Sequence, residues 1–441
     1  MIAAWFTRAR ESFWFLPTVL GVVALVAAKS LVAVDRVLAE AGVTDVPMLD
    51  TLSAAGSRAV LTAISGSVLT VAATSFSITI SVMATTSSVY GPRLVRNFMA
   101  DRANQAVLAA FTGTFLYALV VLGDIHPDES GEPVPTLAIH AAIVLAVVNV
   151  AVLVFFIHHI AQSVQVTTLE QRVRQELETA VDTVFPAEPA DHQVPADHPV
   201  HAVAESAGEP QVRARSTGYV EHVDLAALVR RARACDGLIE LVVGPGDHLV
   251  EGEPLARVRG DVDDLTEAVR SAVVLGPART PHQDVAFAVQ DLTEMAVRAL
   301  SPGTNDPYTA ASALDALGTA LVRVVSRSPA PRGRADAEGT VRLVVPWPTA
   351  EELVRSVVTA LRTYGLGAPV ALDALLRLLD RLEGAARRPG VRAALRDQVE
   401  VLRAAYLASE PLDVDAAAVM DRLDALRGRL TTAPDPSTPA R

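Results

Sequence analysis

Before residue 161 the apolar positions gather into four long runs, and beyond it they recur between polar positions at helical or strand spacing. The runs are about Phe13–Val34, Leu61–Met83, Ala106–Gly123 and Leu137–Ile160. Each is long enough, as a helix, to cross a hydrocarbon core of roughly 30 Å, so the pattern predicts four transmembrane helices. Arg8 and Arg10 precede the first run. That run outlasts a signal-peptide core of about 7–15 residues, which predicts a retained helix. The second crossing, within Ser57–Arg96, is crowded with hydroxyls. At about 100° per residue, Ser67, Thr70, Thr74, Ser77 and Ser81 fall on one face. Leu61, Leu69, Phe76, Ile80 and Met83 point broadly the other way, a face suited to lipid.

Two readings of the hydroxyl stripe stand. Serine and threonine can return their hydroxyl bond to the preceding turn and pack against another helix of the same subunit. Alternatively the stripe faces water or an oligomer axis, and since four helices hardly enclose a wide channel, a pore then requires a homo-oligomer. Asn149 lies near the middle of the fourth run, where an unpaired amide is costly; it is expected to hydrogen-bond another helix. Lys29, late in the first run, either snorkels to the interface or faces another helix as a buried charge. His158 and His159 are adjacent, about 100° apart on a helix, and read as interfacial histidines rather than metal ligands.

Charge decides orientation. With four crossings, Arg8 and Arg10, then Arg93, Arg96 and Arg102, then Arg172 and Arg174 all fall on one side. The acidic loop Asp124–Glu132 falls on the other. The positive-inside rule makes both termini cytoplasmic and the protein a multi-pass component of the plasma (inner) membrane. A cytoplasmic basic segment carrying Tyr90, Pro92, Arg93 and Arg96 then follows the hydroxyl-rich helix.

Residues 1–165 are thus read as the transmembrane domain. Residues 166–185 continue as a charged amphipathic helix, with Glu170, Arg174 and Glu178 at four-residue spacing. Residues 186–211, rich in Pro, Ala, Asp, Glu and His, read as a flexible linker with no fixed geometry for a metal. Residues 212–260 predict a small β-rich unit: strand-like pieces separated by turn glycines, with a short helix at Leu225–Arg233. Its Gly244–Ala256 run resembles half of a barrel-sandwich hybrid of the biotinyl or lipoyl type. Lys29 is the only lysine in the chain, so no carrier lysine exists there and a structural or docking module is left.

Residues 261–430 predict a mainly helical domain, and 431–441 a disordered tail. Asp284 is placed to cap one helix, and Asp306 followed by Pro307 to start another. Between them Ser301-Pro302-Gly303-Thr304-Asn305 is dense in turn residues. A tight helical hairpin accounts for it better than an anion site at the helix start, which Asp306 would oppose. Ser326–Gly339 predicts an exposed loop, Val341–Val345 a strand, and Glu352–Tyr364, Leu372–Ala386, Val391–Ala408 and Val414–Leu430 helices.

Composition narrows the classes. A formal charge of −12 lacks the basic footprint of a general nucleic-acid binder, and no nucleic-acid partner is expected. A lone Cys235 excludes an intrachain disulfide and is read as a small core residue. No catalytic constellation stands out, so neither enzyme activity nor a cofactor or metal is expected.

The chain resembles a bacterial family of predicted membrane proteins, DUF2254. The resemblance rests on Ser12–Pro17, Phe76–Thr79, Gly91–Phe98 and Phe156–Ile160, on Arg279-Thr280-Pro281-His282-Gln283-Asp284, and on Ala299 to Pro307. It implies the architecture and no activity. The expectation is an oligomeric, channel-like or transport-like protein in the bilayer with a cytoplasmic regulatory domain. The alternative is a membrane-anchored sensory or scaffolding protein binding a small ligand or a protein on the cytoplasmic side.

Overall fold

The computed structural model describes residues 14–41, 53–90, 101–125, 134–163, 166–187, 193–194 and 211–432. They fall into two compact units, Met1–Thr168 and Leu169–Arg441.

The first unit is built of helices α1 (Phe15–Glu40), α2 (Ala54–Tyr90), α3 (Arg102–Gly123) and α4 (Thr136–Ser163). Helix α3 is central and packs on the other three. Val107, Phe111, Thr114, Tyr117, Ala118 and Val121 turn inward. Small residues let it sit close to α1: a Cβ on Gly21 would come within 3.2 Å of Leu116. The outer surface is apolar, with Val147, Val150, Val154 and Ile157 on α4 each more than half exposed. An apolar exterior around a core that includes Asn104, Gln105 and Asn149 inverts the soluble pattern and suits a lipid solvent.

One end of this bundle is tied by charge. The Asp35 carboxylate accepts the Leu137 and Ala138 N–H groups, each at 3.0 Å, filling orphan donors at the start of α4. Lys29 reaches Asp124 at 2.9 Å with its side chain 65% exposed. Lys29 is thus not a buried charge, yet it does face another helix, pairing with the C-cap of α3. Arg58 donates to the Ile125 carbonyl.

The second unit opens within α5 (Val166–Val184). In chain order follow β1 (Gln193–Val194), β2 (Gln211–Arg213), β3 (Gly218–Val223), α6 (Leu225–Ala234), β4 (Leu238–Leu241), β5 (His248–Leu249) and β6 (Pro254–Arg259). Then come α7 (Val262–Ala272), β7 (Val273–Gly276), α8 (Val285–Ala299), α9 (Pro307–Ser326), β8 (Gly333–Ala335) and β9 (Val341–Val344). Helices α10 (Ala350–Tyr364), α11 (Pro369–Ala385), α12 (Pro389–Ala408) and α13 (Asp413–Thr431) complete it. One sheet runs β1-β8-β9-β4-β6-β2 and the other β5-β3-β7.

This topology corrects the β-rich unit expected to close at residue 260. Strand β7 pairs with β3, and β9 pairs parallel with β4 in the register Ile239 to Leu343. The strand pieces of 212–260 leave β4 an open edge, and residues from beyond the next three helices fill it. It also corrects the exposed loop expected at Ser326–Gly339. Gly339 (φ 83°) turns a hairpin into β9. The buried Asp336 carboxylate fastens that hairpin, accepting from Thr340 N–H at 2.9 Å and Arg342 at 2.7 Å. Within the expected linker, Gln193–Val194 pairs with β8; its other residues from 188 to 210, and the tail from 433, lie outside the described residues.

Among the described residues, five helices are long and apolar enough to cross a membrane, one more than the sequence pattern predicts. The additional one is α9. Its Ala310, Leu314, Leu317, Leu321 and Val324 are buried within the second unit, where α9 packs on α8 and α11. Its apolarity belongs to that helical core, and Arg323 at its end pairs with Glu178 and Asp182 of α5.

Candidate functional site

The Arg279–Asp284 motif joins β7 to α8, and almost every polar side chain in it is spent on position. Gln283 is buried and binds Val223 twice, donating to its carbonyl at 3.1 Å and accepting its N–H at 2.9 Å. It thus continues the end of β3 as a strand neighbour would. Thr280 donates to the Glu221 carbonyl. Asp284 caps α8 through the Phe287 N–H at 2.9 Å. The same carboxylate takes Arg279 in a two-pronged pair at 2.7 and 2.9 Å. Arg279 also donates to Gln290 at 2.9 Å and lies 4.9 Å over the Phe287 ring.

A second motif meets this one. Gly246, at φ 95°, passes so close to Asp284 that a Cβ would sit 1.9 Å from its carboxylate oxygen. The Gly-Pro-Gly-Asp turn resembling a lipoyl-type element is therefore the seat of the Arg279–Asp284 pair. Asp247 closes the turn by accepting the Gly244 N–H at 2.8 Å. Sequence spacing alone does not show that two loops so far apart share a contact.

Beside Arg279 a cleft of about 540 Å³ opens between α8 and α10. Ala286, Gln290, Thr293 and Val297 line it at four- and three-residue steps along one face of α8. Leu353, Ser356, Ala360 and Tyr364 do the same along α10. Ala286, Thr293, Ser356 and Ala360 are small and leave room between the two helices. Arg279, Glu294 and Glu352 add charge to a largely apolar lining. Glu352 also serves the capping box of α10 with Thr349. The arrangement suits the binding of a small amphipathic molecule. No group of three metal-binding side chains occurs among the described residues.

The other family loop does not join this cleft. Pro302, Gly303, Thr304 and Asn305 are exposed. Ser301 accepts the Thr304 and Asn305 N–H groups through its carbonyl, and Asn305 adopts φ 47°. Asp306 caps α9 at Thr309, and Pro307 opens it. The Thr309 hydroxyl, then backbone N–H groups, hold the Asp306 carboxyl below the usual carboxylate range. The loop is a helical hairpin turn.

In the first unit the expected polar stripe lies on the surface. Ser67, Thr70, Thr74, Ser77 and Ser81 are all exposed, so packing inside one subunit does not account for them. Ser67 donates to Ala63 at 2.6 Å, Thr70 to Gly66 and Thr74 to Thr70, each at 2.9 Å. Leu61, expected to face lipid, is fully buried, whereas Ser65, Ser75 and Thr79 turn inward. The expected lipid face is met at Leu69 and Ile80, each about half exposed, and missed at Leu61; hydroxyls circle the whole helix. Asn149 is buried but its Nδ2 finds no partner among the described residues, contrary to the expected bond to another helix. Tyr90 ends α2, and Pro92, Arg93 and Arg96 lie outside the described residues. His159 binds the α3-capping Asp101 at 2.7 Å. That pair escapes a sequence reading because only tertiary packing of α3 on α4 brings it together.

The comparisons agree with this architecture. Uncharacterized proteins Mb1321c of Mycobacterium bovis and Rv1290c of Mycobacterium tuberculosis are each 32% identical over 362 residues, covering 79% of this chain and 68% of theirs. No solved structure matches. The family described as "Predicted membrane protein (DUF2254)" matches residues 10–381, and the chain belongs to it.

Proposed function

We propose that the protein is a membrane-anchored receptor whose second unit takes a small amphipathic molecule in the α8–α10 cleft. The cleft carries this reading: a cavity of about 540 Å³ is in the range that holds a metabolite. It adjoins the Arg279–Asp284 motif, whose rigid seating keeps its wall in place. Helices α1 to α4 make the four crossings, with α9 belonging to the soluble side. The arginine-rich segments support cytoplasmic termini and an inner-membrane location under the positive-inside rule. A fluorescent protein fused at the C-terminus should fold and fluoresce; a dark fusion that is instead active as a periplasmic reporter rejects this orientation.

The test of binding is a thermal-unfolding screen of the full-length protein in detergent against a metabolite panel. A ligand at about 100 times its Kd raises stability by about 2.7 kcal/mol, a readable shift. Ser356→Leu and Ala360→Leu each fill the cleft and should abolish the shift while leaving the unliganded protein folded. No shift with any compound, together with no small molecule retained on native mass spectrometry, refutes the reading.

A second reading rests on the exposed hydroxyl stripe of α2, which supports a homo-oligomer whose axis the stripe lines. Ion flux in liposomes that changes on Thr74→Leu supports it; a monomer in detergent and in lipid, or absent flux, removes it.

A further inference from the structure

We infer that the contact of α2, α3 and α4 holds one ordered water molecule, bound by Asn104 with Ser75 and Thr79. Asn104 is 3% exposed, and neither its Oδ1 nor its Nδ2 finds a partner among the described residues. It lines a small space of about 10 Å³ together with Ser75 and Thr79, themselves buried. Val107, Leu108 and Phe156 are among the apolar walls. That volume is about one water sphere, roughly 10–15 Å³.

The chemistry of the amide selects the occupant. A primary amide presents an acceptor oxygen and a donor nitrogen, and here both are orphaned, whichever way the group is turned. A cation would satisfy the oxygen and strand the N–H; an anion would do the reverse. Water donates to one and accepts from the other. Its second proton has a receiver too. The Thr79 hydroxyl spends its own hydrogen on the Ser75 carbonyl at 2.9 Å and offers lone pairs to the space. In a segment surrounded by lipid no bulk solvent is at hand to satisfy such groups, so an internal water has to.

The position fits entry from one end of the bundle. Asn104 lies one turn beyond the capping Asp101, and Phe156 one turn before its partner His159. The Asp101–His159 hydrogen bond and the polar space therefore share the α3–α4 contact.

X-ray radiolysis of the full-length protein in lipid nanodiscs tests this, because ionising radiation makes hydroxyl radicals from bound water in place. Phe156 and Phe111 are 3% and 1% exposed, so they form an internal comparison. A bound water oxidises Phe156 well above Phe111, and Asn104→Leu lowers Phe156 to the Phe111 level. Equal, low oxidation of both rings in the wild-type protein overturns the inference, and this comparison stands even if the variant does not fold. Replacing sodium and potassium by choline should leave the labelling unchanged; a change would assign the space to a cation and reject water.

Discussion

Gly246 carries the turn after β4 past Asp284 at a distance no side chain can share, with a backbone φ that L-residues rarely adopt. Gly246→Ala should therefore cost roughly 2 kcal/mol or more, by strain and by displacement of the Arg279–Asp284 pair. The lowered unfolding temperature of the second unit reads it. Asp336 makes a pH-dependent contribution. Its hydrogen bond from Arg342, then those from the Thr340 and Glu338 N–H groups, hold its carboxyl well below the ordinary range. A depressed native value means stability that is complete above the unfolded value of about 3.9 and is lost as pH falls through the lower, native one. Asp336→Asn should lower the unfolding temperature at neutral pH and flatten its fall in acid. Cys235 is not the core residue its sequence suggests; it is half-buried at the end of α6, with its Sγ 2.8 Å from Asp264. That hydrogen bond first, then burial and the carboxylate charge, push the thiol up to about 11. Maleimide should consequently label native Cys235 slowly at pH 8, and Asp264→Asn should accelerate labelling.

At the scale of elements, α2 separates what hydrophobic periodicity can and cannot reveal. Its length and apolarity make it a candidate membrane helix, as they do for α1, α3 and α4. Which side faces inward is set by the shape of the neighbours. Leu61 and the smaller Ser65, Ser75 and Thr79 pack inside, while the regular hydroxyl stripe stays out. The two faces should answer differently to substitution. Thr74→Val should change stability by less than about 0.5 kcal/mol, since the hydroxyl is exposed and bonded only to its own helix. Leu61→Ala should cost about 2–5 kcal/mol through the cavity it leaves. Thermal unfolding in one detergent compares them. Local signals were legible elsewhere too: the caps at Asp284 and Asp306 sit where Asp followed by an apolar helical run, or by Pro, places them. The α8–α10 cleft was not legible, because its lining comes from two helices separated by α9, β8 and β9. The Asp101–His159 pair and the seating of Asp284 on Gly246 were hidden for the same reason.

At the scale of the whole molecule, the two units differ in what they bury and expose. The first exposes valine and leucine and buries amides; the second buries the apolar face of α9 even though that helix would pass a composition test for a membrane span. A single charge in that face tests the distinction. Leu317→Asp should unfold the second unit, because it buries an unpaired carboxylate, while the first unit stays inserted and helical. The parallel pairing of β4 with β9 also bears on biosynthesis. A nascent chain that has emerged only as far as α9 has made β4 and β6 but not the strand that covers the other edge of β4. Until β9 arrives the sheet displays unpaired amides and carbonyls to every neighbouring chain. Between translating Leu241 and Val341 that edge of β4 stays open, and a stalled or truncated product ending there should be more prone to aggregate than the finished chain.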